Sequence, residues 1–384
     1  MKFKSGIYKK QGGYKSFYPT LLKDLDFDFH NKDINQLLEK TMLKLGELNA
    51  YAELIPDIDF FVKMHIAKEA SSSSKIEGTK TEIDELFIQE EDIPLEQRDD
   101  RNEVLNYIEA LNWSVEELNN IPLSMRLIKG AHKKLLAGVC GKTKLPGQIR
   151  KSQNWIGGAT VNSAFFVPPH PGDLPDLLSD LEKFWHSELD KTPHLIKAAV
   201  THYQFETIHP FLDGNGRTGR LLIILYLINF GLLKKPALYL SSYFEEYRQD
   251  YYDALTYVRT QNNLEHWVMF FLEGMILTTD DSKKIFLAIL KLKEKYKNII
   301  TKNMGKRAGS SLDLLQKLFS KPVVTINEIQ DLIQVSFPTA SAIAKKFLEL
   351  GIFQEKTGGS RNRIFELKEY LDLFRQKSLQ VNKK

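Results

Sequence analysis

The sequence predicts a mainly α-helical protein: a helical core interrupted by one small β-hairpin, and a separate unit of short helices and strands towards the C-terminal end. Three observations carry this. Apolar residues recur at three- and four-residue intervals through most of the chain, the period of a helix with one buried face. Gln148 to Pro169 breaks that rhythm, with Ile149, Trp155, Ile156, Val161, Phe165, Phe166 and Val167 set around Gly157-Gly158 and Asn162-Ser163, the marks of a hairpin. Beyond Asn303 the runs shorten and finish in two strand-like segments split by Lys356-Thr-Gly-Gly-Ser.

In order, the helical period predicts helices over Ile34 to Tyr51, Asp57 to Ser74, Arg101 to Leu118, Leu123 to Leu136, Asp176 to His186, His194 to Thr207, Arg217 to Phe230, Gln249 to Thr260, Leu264 to Leu277 and Asp281 to Lys297. Lys291, Lys293, Lys295 and Lys297 make the last one basic, and Asn303 to Ser310 reads as a linker behind it. Ser311 to Phe319 then reads as a helix, and Thr325 with Glu328 three residues on has the capping-box spacing that starts a second. Ser336 and Pro338 open a third that runs to Leu350, where Gly351 can act as C-cap. With strands over Ile352 to Glu355 and Arg361 to Leu367, this unit resembles a winged helix-turn-helix domain. The resulting division is an N-terminal helical region, 1–100, a core, 101–278, a basic helix and linker, 279–308, and the C-terminal unit, 309–384.

Size and composition agree with several compact units. A chain of 384 residues exceeds the usual length of one domain, and 42% hydrophobic with 27% charged residues is the mixture of a globular protein rather than a fibre or a disordered chain. The single cysteine, Cys140, can form neither an internal disulfide nor a cysteine zinc site, which fits a reducing compartment and makes the cytoplasm the expected location. The longest apolar run, Leu221 to Leu233, is interrupted by Asn229 and Gly231 and falls short of the roughly 20 residues a membrane span needs. Met1-Lys-Phe-Lys-Ser-Gly is not followed by an apolar stretch, so no secretory signal is read there. A net charge of +4 permits nucleic-acid contact without arguing for it.

The chemistry concentrates ahead of one helix. Gly214-Asn215-Gly216 tolerates left-handed backbone and close approach of a ligand, and N–H groups in such a turn at the positive end of a helix form an anion nest. Arg217 and Arg220, three residues apart, can address the same anion, which suits a polyphosphate. Asp213 adds a carboxylate suited to Mg²⁺ held largely by phosphate oxygens, and His209 is the nearby group able to take a proton near neutral pH. Each part alone is ordinary: a loop histidine, a turn, a solvated helix face. Their joint occurrence in one short loop points to a site.

At these residues the chain resembles the Fic family. His209-Pro-Phe-Leu-Asp-Gly-Asn-Gly-Arg-Thr-Gly-Arg220 is similar, without departure, to the signature His-x-Phe-x-(Asp/Glu)-Gly-Asn-Gly-Arg-x-x-Arg. The resemblance spans roughly residues 30 to 275 and implies a helical Fic fold and Mg²⁺-dependent transfer of AMP from ATP to Ser, Thr or Tyr of a protein, with release of pyrophosphate. It implies that His209 is the base, Asp213 the Mg²⁺ ligand, Asn215 with the backbone of Gly214 and Gly216 the α-phosphate cradle, and Arg217 and Arg220, around Thr218 and Gly219, the holders of the outer phosphates. The intact Gly-Asn-Gly differs from the related death-on-curing kinases, which transfer the γ-phosphate. It also implies that Gln148 to Pro169 is the flap that clamps a target segment by strand addition, with Ser163, Ala164, Phe165 and Phe166 near the nucleotide, and that Tyr251 and Tyr252 line the adenine site; a structural hairpin and core positions on an amphipathic helix are the other readings of these residues.

Ser73-Ser-Lys-Ile-Glu77-Gly78 resembles the family's inhibitory helix, (Ser/Thr)-x-x-x-Glu-(Gly/Asn). Ser73 and Glu77 share a face at i, i+4, and Gly78 can end the helix. Glu77 would then imitate a γ-phosphate by pairing with Arg220; at about 4 Å and an effective dielectric near 20 that is worth roughly 4 kcal/mol before desolvation. The same carboxylate could position water for AMP removal, and both roles stay open. The expected partners are a protein target that includes the chain itself, with a homodimer left open. In the alternative, a DNA-binding regulator with a Fic sensor, Ser336, Thr339, Ser341 and Lys345 would reach DNA from the third C-terminal helix and Lys356, Arg361 and Arg363 from the wing.

Overall fold

The computed structural model describes residues 3–27, 31–54, 58–138, 144–187, 191–356 and 363–375. It opens with a hairpin that the helical periods pass over: β1 (Gly6–Gln11) pairs antiparallel with β2 (Tyr14–Pro19), Gly6 opposite Pro19 and Gln11 opposite Tyr14. Gly12-Gly13 forms its turn, with Gly12 at φ +57°, where a side chain would be strained. The core follows as α1 (Lys32–Leu54), α2 (Ile58–Glu77), α3 (Leu95–Glu117), α4 (Met125–Leu135), α5 (Leu174–Trp185), α6 (His194–Ile208), α7 (Asn215–Asn229), α8 (Ser241–Glu246), α9 (Arg248–Gln261) and α10 (Leu264–Asn303). Helices α6 and α7 are buried on nearly every face, including polar residues such as His202, Glu206 and Arg220, and form the centre around which the others pack. None of the described helices is long and apolar enough to cross a membrane.

Three expectations change. The segments Leu264 to Leu277 and Asp281 to Lys297 are one continuous helix of 40 residues, α10, so the boundary drawn at 278/279 falls inside it. Thr278 and Thr279, in the gap that reads as a break, are buried against the core instead of facing water, as are Asp281 and Ser282 just beyond it. Asn303 to Ser310 is not a linker: a 3-10 turn at Gly305–Arg307 leads directly into the next helix. The flap, too, is less regular than a ladder. Among described residues 148–169 holds a single antiparallel bridge, Ile156 to Phe166, because Gly157, Gly158 and the Thr160 to Ser163 turn consume the remainder in loop bonds.

The C-terminal unit consists of α11 (Ala308–Leu318), β3 (Val323–Thr325), α12 (Ile326–Ile333), α13 (Phe337–Glu349), β4 (Gln354–Glu355), β5 (Ile364–Glu366) and α14 (Lys368–Arg375), with an antiparallel sheet in the order β3-β5-β4. The capping box forms: Thr325 Oγ1 accepts from the Glu328 N–H at 3.2 Å, and Glu328 accepts from the Thr325 N–H at 2.7 Å. These elements follow the expected order, with β3 and α14 added, and the winged-helix name rests on that order alone. Cys140 and Arg361 lie outside the described residues.

Candidate active site

The His209 to Arg220 loop is bent by its own sequence. Helix α6 ends at Ile208 because Pro210 has no N–H to continue it and disfavours the right-handed helical basin for the residue before it. His209 takes a left-handed conformation, φ 49° and ψ 62°, uncommon for a residue other than glycine. Asn215 then closes the loop: its Oδ1 accepts from the Phe211 N–H at 2.8 Å and its Nδ2 donates to the Phe211 carbonyl at 2.9 Å. Gly214 caps α7 at φ 71°, and Thr218 Oγ1 donates to its carbonyl at 2.8 Å. The His132 ring stacks on Phe211 at 3.7 Å; its Nδ1 accepts from the Gly147 N–H, so Nε2 carries the proton and donates to the Asp213 carbonyl at 2.9 Å.

His209 Nδ1 lies 3.3 Å from the Glu206 carbonyl. A carbonyl can only accept, so Nδ1 holds the proton and Nε2 keeps a free lone pair. Burial, opposed by that bond and reinforced by the Arg150 charge, pushes the imidazole down to about 4, which leaves it neutral and able to act as a base at neutral pH. The ring opens on a cavity of about 580 Å³ whose wall also includes Glu77, Phe165, Glu206, Arg220, Tyr252 and Arg259.

Across it, Arg220 projects from the second turn of α7 with 2% of its surface exposed. Its Nε donates to Ser73 Oγ at 2.9 Å, and its Nη2 to the Ser73 carbonyl at 2.9 Å and to Glu77 Oε1 at 2.6 Å. Burial pushes the Glu77 carboxyl up, but the Arg220 charge and hydrogen bond outweigh it, and the net shift is downward. Gly78, at φ +114°, ends α2 immediately beyond. Glu77 occupies the mouth of the α7 N-terminus: a Cβ on Gly216 would meet its Oε1 at 2.3 Å.

The residues singled out in the sequence separate into two groups. His209, Glu77, Gly216, Arg220, Phe165, Tyr251 and Tyr252 line one cavity. Tyr252 offers an exposed ring there, whereas Tyr251 is buried, stacks on Phe244 at 4.5 Å and bonds His202 Nε2 at 2.8 Å, a core residue that reaches the wall. The remaining positions sit behind or beside the wall. Arg217 turns to Glu103 of α3 at 2.7 Å, away from Arg220. Asn215 and Thr218 are spent on the shape of the loop, Gly219 packs against Glu206 and Phe205, and Ser163 bonds Thr160 at the flap turn. Ala164 and Phe166 stand either side of Phe165, with Phe166 buried under Arg259 at 4.2 Å. Asp213 Oδ1 accepts from the Gly214 N–H at 2.6 Å, and no group of three or more metal-ligand side chains occurs among the described residues. One carboxylate beside an anion nest fits Mg²⁺ carried chiefly by phosphate and water, not a protein cage.

Four groups near the cavity carried no local signal in the sequence. Arg150 and Asn154 hold the His209 to Phe211 backbone, Arg259 lines the wall, and Glu206 keeps Oε1 buried without a hydrogen-bond partner among the described residues, its carboxyl pushed by burial up to about 7.

Family models described as Fic/DOC family N-terminal and Fic/DOC family match residues 35–116 and 122–227. Protein adenylyltransferase Fic of Drosophila yakuba is 35% identical over 135 residues, covering 35% of this chain and 26% of that protein. The protein of the same name from Aedes aegypti is 32% identical over 185 residues, covering 47% and 34%. The chain therefore spans 26% to 34% of the length of these two relatives. Among solved structures, a Fic family protein from Desulfovibrio desulfuricans G20 superposes with a TM-score of 0.56 at 19% identity over 88% of this chain and 97% of that one. A Fic domain containing signaling protein from Bacteroides thetaiotaomicron gives 0.51 at 20% over 65% and 96%. At these identities the likeness is one of fold.

Proposed function

For a chain that carries the Fic/DOC family N-terminal domain and the Fic/DOC family domain, we propose transfer of AMP from ATP to a hydroxyl group of a protein, with Glu77 holding the resting chain close to silence. Support comes from the complete His209 to Arg220 loop and from the curated relatives named protein adenylyltransferase Fic. The observation that carries the reading is Arg220, buried at the α7 N-terminus and bonded at once to Ser73 and Glu77 on the wall that holds His209.

The acceptor, a Ser, Thr or Tyr hydroxyl of a target or of the chain itself, gives its proton to His209 Nε2 as its oxygen attacks the α-phosphorus. The bond from the α-phosphorus to the bridging oxygen breaks, and pyrophosphate leaves with that electron pair. The α7 N-terminus supplies N–H groups and a positive dipole end for the α-phosphate, and Arg220 takes outer-phosphate charge once Glu77 leaves it. Asp213 is the residue that would hold Mg²⁺, whose charge would offset that of the phosphates. While Glu77 stays on Arg220, the outer phosphates and the carboxylate compete for one guanidinium.

The test is incubation of wild type, Glu77→Gly and His209→Ala with α-labelled and, separately, γ-labelled ATP in a cell lysate. The expected result is α label on protein, weak for wild type, at least about 10-fold stronger for Glu77→Gly and absent for His209→Ala. Label from γ alone would mean a kinase, and no label in any lane overturns both.

A further inference from the structure

Arg150 is the most thoroughly bonded charged side chain around the site, and it does not line the cavity. With 2% of its surface exposed, it directs Nε to the His209 carbonyl at 2.9 Å and Nη2 to those of Pro169 at 2.6 Å and Ile208 at 3.4 Å. Its Nη1 donates to the Ser152 carbonyl at 3.2 Å and its own N–H to the Pro210 carbonyl at 2.9 Å. No carboxylate pairs with it among the described residues, so this buried cation is satisfied by backbone alone. Ser152 and Pro169 are the two ends of the flap; Ile208, His209 and Pro210 are the turn that presents the base. Asn154 adds a second donor to the His209 carbonyl at 3.3 Å and one to the Phe211 carbonyl at 2.9 Å. The residue whose carbonyl receives both side chains is the one in the left-handed conformation, which persists only where its surroundings over-determine it.

We propose that Arg150 is a positioning residue: it clamps both ends of the flap to the backbone of the base, so that His209 and the segment that would present the acceptor hydroxyl form one rigid body. This rests on the transfer reading above. The planar fork is what the geometry uses, because its donors reach carbonyls of two chain segments in one plane, and a lysine cannot reproduce that. Its charge has a separate effect on His209, whose other charged neighbours are Glu77 of α2, Glu206 of α6 and Arg259 of α9. Arg150 and Arg259 disfavour the imidazolium and Glu77 favours it, so removing the Arg150 charge moves the base towards higher pKa.

The experiment uses Glu77→Gly as parent and compares Arg150→Lys, Arg150→Met and Asn154→Ala in it, reading α-label incorporation into lysate protein against ATP concentration and pH, with circular dichroism and melting as controls for folding. For Arg150→Lys the expected result is a fall in kcat of about 10- to 100-fold with the KM for ATP within about twofold of the parent, since Arg220 and the α7 N-terminus are untouched. Arg150→Met should lose at least as much and also shift the acid limb of the pH–rate profile to higher pH, which Arg150→Lys should not. Asn154→Ala should lose several-fold in kcat. An unlabelled parent means the transfer reading has failed; a labelled parent with Arg150→Lys and Asn154→Ala at the parental kcat overturns the clamp. If the Arg150 variants do not fold, Asn154→Ala decides alone, with parental kcat as the overturning result.

Discussion

At the scale of single residues the site turns on a pair of unequal members. Arg220 is 1% exposed in its side chain and has Ser73 as well as Glu77 for partner, whereas the Glu77 side chain is 37% exposed to the cavity. The cation is fixed and the anion can leave, which is the asymmetry a displaceable brake requires. Glu77 has a folded pKa below its ordinary 4.5, so the unfolded state takes up its proton first as pH falls. Its contribution to stability is therefore complete above that ordinary value and disappears as pH drops through the lowered one. Melting of wild type against Glu77→Gln should show a constant gap, about 1 kcal/mol after screening by cavity water, from pH 8 to 5, and the gap should close in more acid buffer. A gap that stays open there would show that the carboxylate is not what Arg220 holds. His209, Gly216 and Arg220 could be read from sequence because they are contiguous in one loop, whereas Glu77, far away in the chain, came from its resemblance to the family's inhibitory helix. Arg150, Asn154 and Glu206 could not, since each acts through backbone or burial that exists only after the loop and the flap have met.

Among the elements, α10 shows why a polar run misleads. The gap at Thr278 to Asp280 reads as a break, yet Thr278 and Thr279 are buried, and Asp281, where the second predicted helix begins, lies 4% exposed, accepts from Tyr239 Oη at 2.8 Å and faces Lys68 Nζ of α2 at 3.5 Å. The period-based reading fails at such positions because it counts polarity as exposure, and a polar group can be buried when its partners come from another helix. The contact matters because α2 carries the proposed brake: Glu69 bonds Ser241 and Tyr107, Ser72 bonds Ser242 at 3.0 Å, and Ser73 and Glu77 hold Arg220, so the C-terminal half of its buried polar face is tied down. Asp281→Ala should strand both a tyrosine hydroxyl and a lysine ammonium in the interior and lower unfolding free energy by about 3 kcal/mol in urea titration. Asp281→Asn, which keeps an acceptor for Tyr239, should lose less. The N-terminal hairpin offers only Gly12-Gly13 as a sequence signal, since its strands do not alternate apolar with polar residues, and its Phe17 N–H reaches the Val167 carbonyl at 2.9 Å to extend the flap's foot.

For the whole molecule the question is what the C-terminal unit does to the core, because it sits on α2 and on the turn that follows it. Phe319 packs edge-on against Phe61 at 5.8 Å and Phe374 against His65 at 5.4 Å, both on α2. Beyond Gly78, Asp84 in the 3-10 turn Ile83–Phe87 pairs with Lys356 and, at 3.2 Å, with Arg375, which also holds Glu366 at 3.0 Å. Lys356 and Arg363, counted on for DNA in the alternative reading, are thus paired within the chain, Arg363 with Glu355. The pairing with Asp84 has a mechanical consequence that composition could not reveal, since it joins residues far apart in sequence. Freeing the turn removes a restraint from the segment that leads out of Glu77. Asp84→Ala should lower stability by about 1 kcal/mol, as its partners are partly exposed, and a double-mutant cycle with Arg375→Ala should return less than the sum of the two single losses. If the turn restrains the brake, Asp84→Ala should also raise α-label transfer by the wild-type chain several-fold. It should add nothing to Glu77→Gly, where the brake is already gone. An equal increase in both backgrounds would place the effect of Asp84 elsewhere, and an unchanged wild-type rate would leave the C-terminal unit as a stabilising support alone.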